Sequence, residues 1–299
     1  MNTLHKFKAP HRLALAAVAA LALSACGANS GSDTGTLSLS VTDAPVDNAA
    51  RVVVQFSSVE VFGSMNGSQT FTFDTPRQID LLALQGSASA TLLDNVSLPA
   101  GSYQWVRLGV DTDGAMDTYL ELNDGTIEEL TIPSGAETGL KLVQGFDVSA
   151  SGSSDFTIDF DLRKSVHQAN NSYRLRPALR MMDNSAIGHI SGNVDGTLLT
   201  NNCGADTAYA VYAFEGADIS PDDTGSTTEA VTTSLLDEFG NYELGYLNAG
   251  DYTLALTCQA DQDDPAIDDV AFGNTTGDGF IATANVTVTA NQTTRYDFQ

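Results

Sequence analysis

The sequence predicts an all-β protein: two consecutive β-sandwich domains that follow an N-terminal signal peptide and a short flexible tether. Short runs of alternating apolar and polar residues recur along the chain, separated by Gly, Asn, Asp and Pro. No long segment repeats its apolar residues with the 3.6-residue period of a helix. A length of 299 residues, with 42% apolar residues, is sufficient for two hydrophobic cores of ordinary size.

The first 25 residues are typical of an export signal. Three basic residues and no acidic one occur there, and the apolar run Leu13–Leu23 is too short for a membrane span, which needs about 20 residues. The run ends in Leu23-Ser24-Ala25-Cys26, which resembles the lipobox of bacterial lipoproteins. The resemblance implies cleavage before Cys26, a diacylglyceryl group on its sulfur and acylation of the new amine. An ordinary signal peptide, with Cys26 incidental, is the alternative.

The residue after Cys26 bears on location. In Gram-negative lipoproteins an Asp at this position resembles an inner-membrane retention signal, and this chain has Gly27 there. The expected location is therefore the cell envelope, lipid-anchored in the outer membrane of a Gram-negative bacterium. The predicted divisions are a lipoprotein signal peptide, a lipidated tether, a β-sandwich domain of unknown function and an immunoglobulin-like β-sandwich, at residues 1–25, 26–35, 36–185 and 186–299.

The charge balance restricts the partners. There are 38 acidic and 13 basic residues, which gives a formal net charge of −25. So acidic a chain is not expected to bind nucleic acid or anionic lipid headgroups. No GxSxG, HExxH or phosphate-binding glycine loop occurs. Paired carboxylates support glycoside hydrolysis, but coincidental pairs are inevitable among 38 acids, so no enzyme is predicted.

Strands of the first domain follow from the alternating pattern. A change of phase at Ser57-Ser58 predicts a β-bulge, and Asn123-Asp124-Gly125 predicts a hairpin. Asp80–Leu84 is expected as a helical turn or a short strand, and Thr42–Pro45 as a turn. The predicted strands are Thr36–Val41, Arg51–Phe62, Ser102–Val110, Tyr119–Leu122 and Thr126–Ile132.

Two later runs carry opposite charges on their polar faces. Asp155–Arg163 has an acidic polar face and Arg174–Met181 has a basic one, which predicts an antiparallel pair joined by cross-strand ion pairs. An arginine site for anions is the alternative. The predicted pairs are Asp161 with Arg174, Asp159 with Arg176, and Asp155 with Arg180.

Several motifs of this domain occur in a familiar order. TLSLSVTDAPVDNAARVVVQFSSVEV, LPAGSYQWVRLGV, IPSGAETGLKL and the closing DFDLRKS with YRLRPALR resemble the bacterial domain-of-unknown-function family 4382 of exported lipoproteins. The resemblance covers about half of the chain. It implies a β-sandwich and no established activity.

The second domain is expected to begin near Asp183–Ile187. The phrase GNYELGYLNAGDYTLAL resembles carboxypeptidase-regulatory-like and prealbumin-like modules, whose fold group is called carbohydrate-binding-like. The resemblance implies an immunoglobulin-like sandwich. The predicted strands are Ile187–Val194, Thr207–Phe214, Val231–Leu236, Tyr242–Leu247, Tyr252–Cys258, Ile281–Val288 and Thr293–Phe298.

Two cysteines remain after the signal, Cys203 and Cys258. An even number in an exported chain predicts one disulfide. Closing a loop of this length stabilises the fold by about 4 kcal/mol in the chain-entropy model. Two buried free thiols are the alternative.

Two groups of residues are candidate binding sites. An acidic run is a candidate for Ca²⁺, with a solvated acidic loop as the alternative; a similar group is Asp111, Asp113 and Asp117. Tyr103 and Trp105 are expected to form an outward aromatic platform for sugars, unless a loop or the neighbouring domain covers them. The acidic run consists of Asp261, Asp263, Asp264, Asp268 and Asp269.

These observations predict non-catalytic binding at the cell envelope, with carbohydrate as the leading ligand class. The alternative is a structural or adhesive surface protein that contacts other proteins and is stiffened by calcium. His167, expected in a loop, and His189 have no second His or Cys at metal-ligand spacing.

Overall fold

Strands dominate the protein, as the alternating pattern predicts. This computed structural model describes residues 33–44, 49–114, 116–132, 139–169, 172–176, 178–204, 208–265, 267–268 and 279–299. Residues 33–299 form one compact unit. The predicted signal peptide, most of the predicted tether and Cys26 lie outside the described residues. The prediction of an all-β fold is confirmed.

Fourteen strands of the described residues precede residue 185. A 3₁₀ turn at Leu81–Ala83 and helix α1 (Leu162–Ser165) lie among them. The strands are β1 (Thr34–Ala44), β2 (Ala49–Gly63), β3 (Gly67–Asp80), β4 (Ala90–Pro99), β5 (Gly101–Tyr103), β6 (Trp105–Asp111), β7 (Tyr119–Leu122), β8 (Ile127–Thr131), β9 (Leu140–Leu142), β10 (Phe146–Val148), β11 (Ser153–Asp161), β12 (Val166–Ala169), β13 (Ser172–Leu175) and β14 (Leu179–Asp183).

Two large sheets enclose the core of this part. One has the order β14-β11-β1-β4, with β1 parallel to β11. The other has the order β12-β13-β8-β7-β2-β6-β9, and β3 also pairs with β2. A small third sheet joins β10 to β5. Alternate residues of β1 and β2 are buried between the sheets, including Leu37, Leu39, Val41, Val52 and Val54.

The predicted bulge is confirmed. Both ladders of β2 shift register between Phe56 and Ser58, and the shift lets Phe56 and Val59 point into the same core although they are three residues apart. The hairpin at Asn123–Gly125 is also confirmed, with Gly125 at φ +83°, a conformation that favours glycine.

The turn expected at Thr42–Pro45 is wrong for its described residues. β1 continues to Ala44, because Asp43 pairs with Phe160 in the parallel ladder. The hydroxyl of Thr42 contacts the carbonyl oxygens of Leu84 and Ala88, at 2.9 and 2.7 Å, and is satisfied without a turn. Pro45 lies outside the described residues.

The predicted ion-pair register is also wrong. β11 and β14 are antiparallel, but Asp159 pairs with Arg180, four positions beyond the expected Arg176. Their ion pair has a distance of 2.7 Å from Nε to Oδ2. Arg174 is not in this strand at all: it lies in β13, opposite His167 of β12. The alternating pattern continued across the break between β13 and β14, so it concealed the change of strand.

The rest of the chain contributes the strands of two smaller sheets. These strands are β15 (Ile187–Asn193), β16 (Ala210–Glu215), β17 (Thr232–Leu235), β18 (Asn241–Asn248), β19 (Gly250–Thr257), β20 (Phe280–Val288) and β21 (Thr293–Arg295). The sheets have the orders β18-β15-β21 and β17-β16-β19-β20. Their apolar residues form a separate cluster that includes Ile190, Leu244 and Leu254. Helix α2 (Gly196–Asn202) and a 3₁₀ turn at Ala260–Gln262 complete this part.

The predicted disulfide is confirmed. Cys203 follows α2 and Cys258 follows β19, and their sulfurs are bonded with the Cα atoms 5.7 Å apart. The bond fixes the end of a short helix to the segment that carries the acidic run.

A buried cluster joins the two parts. Arg163 of α1 donates to the hydroxyl of Tyr212 at 2.7 Å, to Asp263 Oδ2 at 3.3 Å and to the carbonyl of Ala260 at 3.0 Å. The side chains of Arg163 and Asp263 are 5% and 0% exposed. Burial raises the pKa of the Tyr212 phenol, which keeps it neutral as a donor.

A second contact between the parts is made by backbone. Gly245 of β18 lies so close to the loop after the first 3₁₀ turn that a Cβ atom there would be 1.8 Å from the carbonyl oxygen of Gly86. Beside it, the hydroxyl of Tyr246 donates to the carbonyl of Ser87 at 3.1 Å. Only glycine permits this approach of the two backbones.

Candidate binding cleft

A polar cleft of about 730 Å³ lies beside β10, β11 and the turn that follows β14. Residues from both parts of the chain line it, because Asn291 from the turn between β20 and β21 reaches its edge. Its walls carry serines, amides and carboxylates. The lining residues are Gln144, Gly145, Phe146, Asp147, Ser149, Ser153, Ser154, Asp155, Phe156, Met181, Asp183, Asn184, Ser185 and Asn291.

Internal hydrogen bonds hold the amide side chains in place. Gln144 accepts from the backbone N–H of Met181 at 3.0 Å and donates to its carbonyl at 2.6 Å. Asn184 accepts from the hydroxyl of Thr157 at 2.9 Å and donates to Asp155 at 2.9 Å. Two bonds on one amide fix its rotamer, so these groups are preorganised before any ligand arrives.

Three carboxylates line the cleft, and each is held through Oδ1. Asp147 accepts from Ser102 at 2.5 Å, Asp155 accepts from Asn184, and Asp183 accepts from the hydroxyl of Ser185 at 2.6 Å. Within the described part of the chain, no hydrogen bond reaches the three Oδ2 atoms. No Lys or Arg belongs to the described lining. The cleft therefore offers acceptors to hydroxyl or amine donors and repels anions.

Two aromatic rings form an apolar floor. Phe146 and Phe156 are 7% and 9% exposed and meet edge to face at 5.2 Å. Tyr103 stacks behind Phe146 at 5.1 Å with its ring inclined by 13°. Ring edges of this kind pack against the C–H groups of a ligand whose hydroxyls bond to the walls.

The structure favours the covered alternative over an aromatic platform at Tyr103 and Trp105. Tyr103 is 1% exposed, its hydroxyl donates to the carbonyl of Pro99 at 2.9 Å, and burial raises the pKa of the phenol. The two rings lie in different strands, since β5 pairs with β10 whereas β6 pairs with β2. Tyr103 consequently supports the cleft floor from behind and does not reach the surface.

Trp105 is partly buried on the outer face of the large sheet. Its ring stacks on Phe62 at 5.2 Å with an interplanar angle of 8°. The guanidinium carbon of Arg107 and Nζ of Lys141 lie 4.9 and 4.4 Å from the ring centroid. The protein's own side chains therefore occupy the ring faces that a sugar would need.

Asp263, the central residue of the acidic run, belongs to the buried cluster of Arg163 and Tyr212. Asp263 Oδ2 accepts from Arg163 and from Tyr212, at 2.6 Å in the latter case, and Oδ1 accepts from the N–H of Thr224 at 3.1 Å. Arg163 thus provides the counter-charge of Asp263, and the calcium site considered for the acidic run stays a prediction.

Asp261, Asp264 and Asp268 are exposed, and Asp269 lies outside the described residues. Among the residues that the structure describes, no three or more His, Cys, Asp or Glu side chains are grouped to hold a metal ion. In the second acidic group, Asp117 instead caps a turn, where it accepts from the N–H of Gly114 at 2.8 Å.

The two histidines have structural surroundings. His167 lies in β12 and not in the loop that was expected. His189 accepts from the N–H of Tyr246 through Nδ1 at 3.3 Å, and burial lowers the pKa of its imidazole against a smaller opposing effect of Glu243. A half-buried, neutral His189 therefore supports the junction between the two parts.

Sequence reasoning did not identify the cleft. Its residues come from three stretches of chain: from the β9–β10 connection to β11, from β14 and the turn after it, and from the turn after β20. The sequence shows the alternating polar residues of β11, but the predicted partner of Asp155 is Arg180, whereas the structure pairs it with Asn184. No local spacing signals that these three stretches meet.

The chain was compared with known proteins. Residues 34–177 match the family model described as Domain of unknown function (DUF4382), which confirms the resemblance for that part. The comparison with curated proteins gives no match. Among the described residues, no helix has both the length and the apolar character needed to cross a membrane.

Several solved structures show distant likeness. The Bacillus anthracis TIE protein is 13% identical with a TM-score of 0.22, over 89% of this chain and 34% of that one, so this chain spans about a third of its length. The minor pilin GBS52 of Streptococcus agalactiae is 12% identical with a TM-score of 0.22, over 87% and 94% of the two chains. A Bacteroides thetaiotaomicron protein (DUF1812), proposed to bind polysaccharide, is 13% identical with a TM-score of 0.19, over 87% and 90%.

Proposed function

We propose that this protein is a lipid-anchored, non-catalytic saccharide-binding protein of the cell envelope, with the polar cleft as its binding site. One observation carries the proposal: a preformed cleft in which amides and carboxylates, fixed by internal hydrogen bonds, surround an aromatic floor. Sugar hydroxyls donate to carboxylate and amide oxygens, and sugar C–H groups pack on rings. The ligand class thus follows from the chemistry of the lining.

Several side-chain types that often act as bases or nucleophiles are missing from the described lining, which favours binding over reaction. It holds no His, Cys, Lys or Tyr, and its carboxylates are engaged through Oδ1 with neutral donors. A hydrolase of the two-carboxylate type needs one acid with a raised pKa, and such a group needs burial or a close like charge. The three carboxylates of the cleft, Asp147, Asp155 and Asp183, are all exposed, so none of them meets the condition of burial.

The anchoring part of the proposal rests on the motif Leu23-Ser24-Ala25-Cys26. Two or more acyl chains hold a protein stably at a membrane where one chain gives marginal binding. Replacement Cys26→Ser is expected to leave the protein soluble or uncleaved, as measured by fractionation and by the mass of the N-terminal peptide. Membrane association that persisted after signal cleavage would contradict lipid anchoring.

The binding part is tested with the soluble chain that begins at Gly27 and a panel of neutral oligosaccharides. Asp147→Ala removes an exposed cleft carboxylate and should weaken binding of any positive glycan by about 10-fold or more, the effect of losing a charged hydrogen-bond partner. Asp113→Ala is the matched control, since it removes an equally exposed carboxylate outside the cleft.

Two outcomes count against this function. Binding that Asp113→Ala reduces as much as Asp147→Ala would indicate a general charge effect and not recognition in the cleft. A panel with no positive glycan would favour the alternative of a structural or adhesive protein that contacts other proteins.

A further inference from the structure

The start of the described chain is fixed at the edge of the cleft. The carbonyl of Thr34 accepts from the N–H of Ser151 at 2.8 Å, and the N–H of Thr36 donates to the carbonyl of Gly152 at 2.9 Å. Ser151 and Gly152 belong to the turn between Ser149 and Ser153, and both of those serines line the cleft. The beginning of β1 is therefore bonded directly to the cleft rim.

The contact is tight as well as hydrogen-bonded. A Cβ atom at position 35 would lie 2.3 Å from the carbonyl oxygen of Ser149, so Gly35 permits the closest approach of the chain to the rim. On the other side, the carbonyl of Asp33 accepts from the N–H of Ala100 at 2.7 Å. Residues 33–36 cannot swing away from the cleft without breaking both sets of bonds.

The distance from this point to the lipidation motif is short. Seven residue steps separate Cys26 from Asp33. A fully extended chain of that length reaches about 25 Å at most, and a flexible one has a mean end-to-end distance of about 15 Å. Any membrane that holds Cys26 consequently lies within about 25 Å of the place where the chain meets the cleft rim.

We propose that the cleft works at the surface of the anchoring membrane and takes the saccharide headgroup of an uncharged glycolipid there. This inference rests on the proposed lipid anchor and saccharide specificity. Three carboxylates without a Lys or Arg in the described lining disfavour headgroups that carry phosphate or carboxylate. Uncharged sugars remain, and tethering the cleft beside the bilayer raises their effective concentration around it.

The position of the cleft is tested by energy transfer in the full lipidated protein. A donor dye is attached at Ser153→Cys on the rim, and the acceptor is a headgroup-labelled lipid in phosphatidylcholine vesicles. Labelling is specific because Cys203 and Cys258 form the disulfide and Cys26 is the proposed lipid attachment. Phe239→Cys is the matched control: this residue is 73% exposed and contacts Asn193, at the far end of β15 from the cleft.

β15 runs for about 20 Å from Ile187, two residues after Ser185 of the cleft lining, to Asn193, which contacts Phe239. Transfer should be stronger from position 153 than from position 239, and a long Gly/Ser insertion between Ser30 and Gly31 should remove the difference. Equal transfer from both sites, or no effect of the insertion, overturns the membrane-surface position. That result leaves saccharide binding by the cleft intact.

The ligand is tested with the soluble chain from Gly27 and flotation of vesicles. The soluble chain should float with phosphatidylcholine vesicles that carry digalactosyldiacylglycerol. It should not float with vesicles of phosphatidylcholine alone or with vesicles of phosphatidylcholine and phosphatidylglycerol. Asp147→Ala should reduce flotation by about 10-fold, and Asp113→Ala should not.

The outcomes separate the two proposals. Binding of a free oligosaccharide without flotation on the glycolipid vesicles overturns the glycolipid inference alone. No binding to either form of sugar overturns the saccharide function as well. Flotation with phosphatidylglycerol vesicles would show that the cleft does not exclude anions and also contradicts the inference.

Discussion

Replacement of Arg163 by Met tests the buried cluster that joins the two parts of the chain. Methionine keeps much of the volume of the side chain but removes the guanidinium. Among the described residues, Asp263, whose side chain is fully buried, would then keep the Tyr212 hydroxyl and the Thr224 N–H as its donors. A buried charge without its counter-ion is strongly destabilising.

The expected size of the effect follows from this geometry. Removal of one partner of a buried ion pair costs about 3–5 kcal/mol. A fall of about 2–4 °C in Tm for each kcal/mol, typical of a chain of this size, predicts a decrease of about 6–20 °C. Replacement of both charges, in Arg163→Met with Asp263→Leu, removes the unpaired charge. The double variant should therefore lose much less than the sum of Arg163→Met and Asp263→Leu.

Urea denaturation is the appropriate assay. The single Trp residue, Trp105, reports on the first part of the chain by fluorescence, and far-UV circular dichroism reports on all strands. Lys164→Met, next to Arg163, is a matched control: it removes a partly exposed cation whose acid partners are Asp161 and Glu229. The control should cost about 1 kcal/mol or less. Strictly additive losses in the double variant, or a loss below about 1 kcal/mol for Arg163→Met, would refute the coupling.

Three further predictions concern other contacts. Loss of the disulfide in Cys203→Ala with Cys258→Ala should reduce the free energy of unfolding by about 4 kcal/mol, measured by urea denaturation, and alkylation of the native protein should add mass only after reduction. Acidification should destabilise the fold through His189, because the pKa of its imidazole is lower in the folded than in the unfolded chain. The stability that the neutral imidazole contributes is therefore complete above the unfolded pKa, near 6.5, and is lost as the pH falls below it. His189→Gln should flatten that step in unfolding curves recorded from pH 7 to pH 5, and an unchanged step would assign it to another group. Gly245→Ala should destabilise by more than 1 kcal/mol because its Cβ collides with backbone, whereas Gly250→Ala, where nothing lies within 4 Å, should not; equal effects would contradict the close approach.

The strands could be predicted because each one buries alternate residues, and this alternation is visible within a few consecutive positions of the sequence. In β2 the alternation of Val52, Val54 and Phe56 and its change of phase at the bulge are both local in sequence. Pairing partners are not local. Arg174 and Arg180 share one alternating pattern but belong to β13 and β14, so the pattern could not identify the residue that faces Asp159.

The candidate site could not be predicted for a related reason. The tendency of aromatic residues to bind sugars suggested Tyr103, and this residue does lie near the cleft, but on the buried side of Phe146. The acidic run was visible as composition, yet the role of Asp263 depends on Arg163, a hundred residues earlier. Composition identifies charged residues, and only the fold determines which of them neutralise one another.

The family match ends at residue 177, but the interactions that complete the first sandwich do not. β14 begins at Leu179 and covers one edge of β11, and Tyr212 and Asp263 supply the partners of Arg163. A shortened protein that ends at residue 177 would lack β14, so β11 would become an open sheet edge, which is a template for aggregation. Arg163, which is otherwise buried, would also lose Tyr212 and Asp263 as partners. The segment that matches the family model is thus shorter than the segment that must be translated before this sandwich is closed.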